Sequence, residues 1–203
     1  MKKVKNLSVR LTERKPIIRL VTYAIVIACM LPFFACDKIT KTDVKVSKAT
    51  IELEDIVVQE GTPSKGQLDD ELNYFSASQT IYLNQIEGFT EEVLKHQSKI
   101  DDITVGTATI TITAIEDETG TVVKDFLLQA TGVSPNISIP QYDLGTAYTG
   151  NVQPFATALL LKLFQASSVT VNVSGKTDIT SGKNLKVKIE MGDMVFVVKL
   201  INL

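Results

Sequence analysis

The chain has 203 residues, 44% of them hydrophobic, with one histidine, two cysteines, no tryptophan and a formal net charge of −2. That length suits one domain able to bury a substantial core. The charge balance excludes the basic footprint that binding of nucleic acid demands.

The first element is basic and then apolar. Lys2, Lys3, Lys5, Arg10, Arg14, Lys15 and Arg19 stand against a single acid, Glu13, and no charge interrupts the run from Leu20 to Ala35. Sixteen residues at about 1.5 Å each span about 24 Å, short of a hydrocarbon core of roughly 30 Å, and Pro32 interrupts the end. A cleaved export signal is therefore expected, not a permanent transmembrane helix. Phe33-Phe34-Ala35-Cys36 closes the run, and the chain turns polar at once with Asp37 and Lys38. This arrangement resembles a bacterial lipoprotein signal with its lipobox, although Phe33 stands where that family usually carries an aliphatic residue. The resemblance implies cleavage before Cys36 and acylation of that cysteine. With the mixed charges and hydroxyls of 37–47 and the strand patterns beyond them, three parts are expected: a signal peptide over 1–35, an acylated tether over 36–47 and a single β-rich domain over 48–203. Val26-Ile27-Ala28-Cys29 is a competing lipobox, but cleavage there would leave Met30-Leu31-Pro32-Phe33-Phe34 as an apolar stub. Cys36 followed by a threonine-rich β domain is similar in style to envelope lipoproteins of Bacteroidetes-type bacteria, which implies anchoring at the outer membrane of the cell envelope.

Without residues 1–35 the chain keeps 14 lysines, no arginine and 22 acids, a formal charge of −8. Bidentate guanidinium capture of phosphate or carboxylate is then unavailable. With Cys29 removed and Cys36 acylated, no thiol remains for zinc, nucleophilic or redox chemistry.

Ala49 to Val58 alternates Ile51 and Leu53 with Thr50, Glu52 and Glu54, the period-two mark of a half-buried strand. After a Gly/Pro-marked loop, Phe75, Ala77, Gln79, Ile81 and Leu83 share one strand face, with Gln79 as its polar flaw. Thr90-Glu91-Glu92 starts a short helix with a hydroxyl cap, ending near Ser98. Ile103 to Ile115 is one strand with a threonine ladder outside, and Val122 to Ala130 is its hairpin partner. Helical spacing over Val152 to Ser167 gathers Phe155, Leu159, Leu160, Leu163 and Phe164 in one stripe, with Pro154 in the first turn. Strands follow at Val169 to Ser174 and Leu185 to Glu190, and Gly192-Asp193 is a tight turn before a last strand, Met194 to Ile201. The fold class expected is mainly β: an antiparallel β-sandwich, Ig-like or an α+β variant, with one or two short helices packed on it.

Chemistry is sparse. His96 has no cysteine or second histidine to share a metal and no serine or aspartate at triad spacing, so it is an exposed helix residue in this reading. The acid clusters Asp69-Asp70-Glu71, Asp101-Asp102 and Glu116-Asp117-Glu118 match no calcium loop, and no metal, cofactor or enzymatic activity is expected. Tyr142, Tyr148 and Asn151 lie along a glycine-bearing loop where rings and an amide could meet a sugar. The stripe over 152–167 closes a core or caps a cavity for acyl chains. The function expected is a non-catalytic envelope module for binding or assembly with a protein partner. Its alternative is a lipid or glycan carrier that uses that cavity or the tyrosine loop.

Overall fold

Alternation builds most of this chain. The structure, a computed structural model, describes residues 39–61, 72–115 and 122–201, and Lys41–Leu200 form one compact unit. Cys29, Cys36, the apolar run, the clusters at 69–71 and 116–118 and the turn at 117–120 lie outside the described residues. Nine strands follow in order: β1 (Ile39–Gln59), β2 (Asn73–Tyr82), β3 (Ile100–Thr104), β4 (Thr107–Ala114), β5 (Val122–Ala130), β6 (Ile137–Asp143), β7 (Ala147–Tyr148), β8 (Ser168–Thr177) and β9 (Asn184–Ile201). Among the described residues two α-helices, α1 (Glu91–Lys95) and α2 (Val152–Ala166), accompany them. The strand order is β6-β5-β8-β2-β1-β9-β4-β7, with β3 also paired to β9, and the registers are antiparallel. The fold is mainly antiparallel β with two helices, as the sequence predicts. No helix among the described residues is long and apolar enough to cross a membrane, which says nothing of a β-barrel.

β1 begins at Ile39, so residues 39–47, read as tether, are strand, and Val46 is buried. Three strands change face part-way at an aspartate. Asp55, Asp125 and Asp193 take left-handed φ values of 56°, 52° and 52°, a region that aspartate tolerates better than most residues. On either side the inward residues sit two before and one after: Leu53 and Ile56, Val123 and Phe126, Met191 and Met194. In β5 the slip is a β-bulge against β8, between Lys124 and Leu127. In β1 the slip leaves the Glu54 carbonyl to Gln79, whose Nε2 donates to it, so the polar flaw on β2 satisfies a backbone group.

Gly192-Asp193 is therefore not the hairpin turn that its composition suggests. β9 runs through it, and the kink is matched across the ladder by Val105-Gly106, which splits the expected 103–115 strand into β3 and β4. Gly106 N–H donates to the Gly192 carbonyl at 3.1 Å, and a Cβ on Gly106 would stand 2.7 Å from Asp193 Cβ. The expected β4–β5 hairpin is also absent. β4 pairs with β9 and β7, and β5 with β6 and β8, because each half-buried strand takes the partner that puts its apolar face on the core.

α2 closes that core. Val152, Phe155, Ala156, Leu159, Leu160 and Leu163 are fully buried, and the helix packs on β3, β4 and β8. Two glutamines clamp it: Gln153 Nε2 donates to the Val105 carbonyl at 2.6 Å, and Gln97 Nε2 to the Phe164 carbonyl at 3.2 Å. The second satisfies a carbonyl of the last turn, which has no partner within the helix. Ser167, at φ 64°, ends the helix with its N–H on the Leu163 carbonyl at 2.7 Å. Phe164 of the helix meets Phe89 and Phe196 in a cluster of tilted and edge-on ring pairs with centroids 5.3–5.6 Å apart.

Candidate functional site

The residues singled out in the sequence do not assemble into one site. Tyr142 is buried in the core, and its hydroxyl accepts the Ile112 N–H at 3.4 Å, so its ring offers no face for a sugar. Tyr148 is half-buried, and its hydroxyl lies over Gly150, where a Cβ would collide. Asn151 is exposed in a left-handed conformation before α2 and makes no side-chain cap. His96 is not an exposed helix residue. It follows α1 and is half-buried, and its Nδ1 is buried without a hydrogen-bond partner among the described residues. Thr90 caps α1 only through its backbone, its carbonyl accepting the Leu94 N–H at 3.2 Å. Asp101 and Asp102 do not form a pair: Asp101 faces two lysines, and Asp102 Oδ1 accepts the Ile103 N–H at 2.9 Å. No group of three or more metal-ligating side chains occurs among the described residues.

Two outward sheet faces with opposite chemistry stand out instead. Across β1, β9 and β3 the charges neutralise one another. Asp101 sits between Lys199 and Lys41, the latter at 3.0 Å; Glu190 sits between Lys48 at 2.8 Å and Lys188 at 3.1 Å; and Lys186 bridges Glu52 at 2.6 Å and Glu54 at 2.9 Å. Hydrogen bonds from Lys199 and then Lys41 hold the Asp101 carboxyl below its ordinary value, and Lys48 and then Lys188 do the same for Glu190. Glu190 raises the Lys48 ammonium, and Glu52 with Glu54 raises Lys186.

The sign of the pH effect follows. A carboxylate with a depressed pKa in the fold contributes stability above its unfolded value and loses it as pH falls through the folded one. The raised lysines contribute below their ordinary value and lose that contribution as pH rises through the raised one. The melting temperature should therefore be flat near neutrality, fall as pH drops through and below about 4, and fall again above about 10.5. These groups are exposed, so the steps are small and shrink in salt. Melts of wild type and Glu190→Gln from pH 7 to 3 check this: the variant should lose less over that interval, and equal losses would remove Glu190 from the account.

Across β2, β8 and β5 the outward positions carry no charge over most of their length. Ser76 stands opposite Ser174 and Ser174 opposite Leu127; Ser78 stands opposite Asn172 and Asn172 opposite Gln129. Together they line a shallow groove of about 470 Å³. Tyr74 and Tyr82, 42% and 47% exposed, mark the two ends of β2. The signal for this face was present as alternating Ser76, Ser78 and Thr80 and alternating Thr170, Asn172 and Ser174. Only the pairing of β2 with β8 and of β8 with β5 makes them one surface.

No known protein family and no curated protein matches this chain. Among solved structures it is similar to the decameric BFDV capsid protein, at TM-score 0.37 and 8% identity over 77% of this chain and 99% of that one. Desmodium yellow mottle tymovirus gives TM-score 0.28 and 10% identity over 81% of this chain and 85% of that one. Tobacco necrosis virus gives 0.26 and 10% over 79% and 97%. At these TM-scores neither a fold nor a function passes from them to this chain.

Proposed function

We propose that the chain is a membrane-anchored envelope lipoprotein whose β domain is a non-catalytic module for binding or assembly. The observation that carries this reading is Phe33-Phe34-Ala35-Cys36 at the end of a charge-free apolar run, with the first strand starting at Ile39. An acyl anchor on Cys36 would hold the domain against the bilayer surface on a very short lead. Each buried methylene of the anchor contributes about 0.8 kcal/mol, so more than one chain is needed for stable attachment. The ion-paired face across β1, β9 and β3 suits a surface turned to water. The open groove across β2, β8 and β5 suits contact with a partner.

Of the two carrier alternatives, the lipid version has little support, because the face of α2 meets a packed aromatic cluster. The glycan version is favoured by the groove, not by the Tyr142 loop. The test of the anchor is Cys36→Ser expressed with labelled palmitate. The variant should lose the label and leave the membrane fraction, with an unchanged melting temperature. Label retained by the variant would point to Cys29, and a wild type that takes up no label would sink the reading.

A further inference from the structure

We infer that the groove over β2, β8 and β5 is a binding site for an uncharged polysaccharide chain lying along β2 between Tyr74 and Tyr82. The inference rests on the binding reading of the domain but not on the anchor.

Its first support is the state of the side chains. Ser76, Ser78, Gln129, Asn172 and Ser174 take part in none of the side-chain hydrogen bonds formed among the described residues, whereas their neighbours Thr80 and Thr170 bond each other at 3.3 Å. The opposite arrangement on β1, β9 and β3, where Asp101, Glu190, Glu52 and Glu54 each meet a lysine, shows that this protein can satisfy much of an outer face internally. The groove is left with hydroxyls and amides that can donate and accept at once, which is what a row of sugar hydroxyls needs.

Charge narrows the occupant. Between Tyr74 and Tyr82 neither the outward residues of β2 nor the facing Ser168, Thr170, Asn172 and Ser174 of β8 carry a charge. Lys176 and Lys124 stand level with Tyr74, and Lys176 is engaged by Asp125 at 3.2 Å. A phosphate or an acidic polymer would find no cation in the groove, and a basic peptide no acid. A protein partner would want a central apolar or aromatic anchor point, and the apolar part of the groove lining is the half-buried Leu127 and Ala77 with the buried Val173, none of them aromatic. An uncharged hydroxyl-rich chain matches this surface without burying a charge on either side.

Shape fits as well. Eight residues of extended strand separate the tyrosines by about 26 Å, long enough for an oligosaccharide rather than a single sugar. Each exposed tyrosine presents an apolar ring face with a polar tip, suited to lying against one face of a pyranose. The hydrogen-bonded sheet supplies a preformed platform, so little conformational entropy is lost on binding.

The test uses the full-length chain in a polyoxyethylene detergent, which carries no sugar, on native gels cast with barley β-glucan, yeast mannan, galactomannan or arabinoxylan. Polygalacturonate serves as the acidic comparison. At least one neutral polymer should retard the wild type and Cys36→Ser equally. The double variant Asn172→Ala with Gln129→Ala should weaken that retardation about tenfold, on the order of two lost hydrogen bonds. Tyr74→Ala and Tyr82→Ala should each weaken it, while Asn151→Ala should not. All these side chains point outward, so unchanged melting temperatures keep the result interpretable. Retardation by none of the four neutral polymers overturns the inference. So does retardation indifferent to the groove variants, retardation by polygalacturonate alone, or a dimer in sedimentation that these same variants dissolve.

Discussion

Leu159→Asp should leave the domain unfolded at room temperature. Leu159 is fully buried on the face of α2 that packs against β3, β4 and β8, with Phe155 and Leu163 one turn to either side. Losing the leucine alone removes about 2–5 kcal/mol, the cost of Leu159→Ala. A carboxylate placed there is set into the buried apolar core cluster, and an uncompensated buried charge adds several kcal/mol more or forces protonation. A domain of ordinary stability holds only about 5–15 kcal/mol, so the sum consumes most or all of it. Circular dichroism should show a cooperative melt for Leu159→Ala at reduced temperature and none for Leu159→Asp. An aspartate variant that melts like the wild type would mean that α2 is not part of the core.

Gly175→Val should destabilise the sheet sharply for a change that adds only three carbons. Gly175 lies on β8 directly opposite Phe75 of β2, and a Cβ there would stand 2.7 Å from Phe75 Cζ and 3.2 Å from the Lys124 carbonyl oxygen. The ring has nowhere to withdraw, since Phe75 is 1% exposed and Phe126 lies next to it, tilted by 39° at 6.5 Å between centroids. Overpacking of this kind costs about 1–3 kcal/mol, and a β-branched residue facing backbone as well as ring falls at the upper end. The clash is specific to one neighbour, so a double-mutant cycle identifies it. Phe75→Leu should destabilise the wild type yet cost much less, or even restore stability, in the Gly175→Val background. Strict additivity would place the damage elsewhere.

Leu159 shows where the sequence was informative. The stripe over 152–167 and the alternation of β1, β2, β8 and β9 are local patterns set by one element's own period, and they give strand, helix and inward residues nearly one for one. What a periodicity cannot carry is the identity of the neighbour. Val122–Ala130 looks like the returning arm of a hairpin, yet its partners come from residues 137–143 and 168–177. The same limit hid the groove, whose halves are nearly a hundred residues apart in the chain. Tyr142 misled for a further reason: its neighbours Gln141 and Asp143 are polar and exposed at the end of β6, but a hydroxyl able to reach the Ile112 amide lets an aromatic ring be packed in the core. Gly192-Asp193 has the composition of a turn because a left-handed backbone attracts the same residues whether the chain reverses there or only slips by one.

That slip has a consequence resembling a reading frame. On either side of Asp55, Asp125 and Asp193 the strands are written in opposite parity, and each aspartate marks the position where the parity changes. Removing one residue between Asp125 and the end of β5 would do more than shorten a strand. It would shift the frame, turning the side chains beyond it to the wrong side of the sheet. An insertion nearby in the same strand would act as a suppressor. Length changes in this protein should therefore be tolerated in compensating pairs within a strand, or singly in the connections between strands.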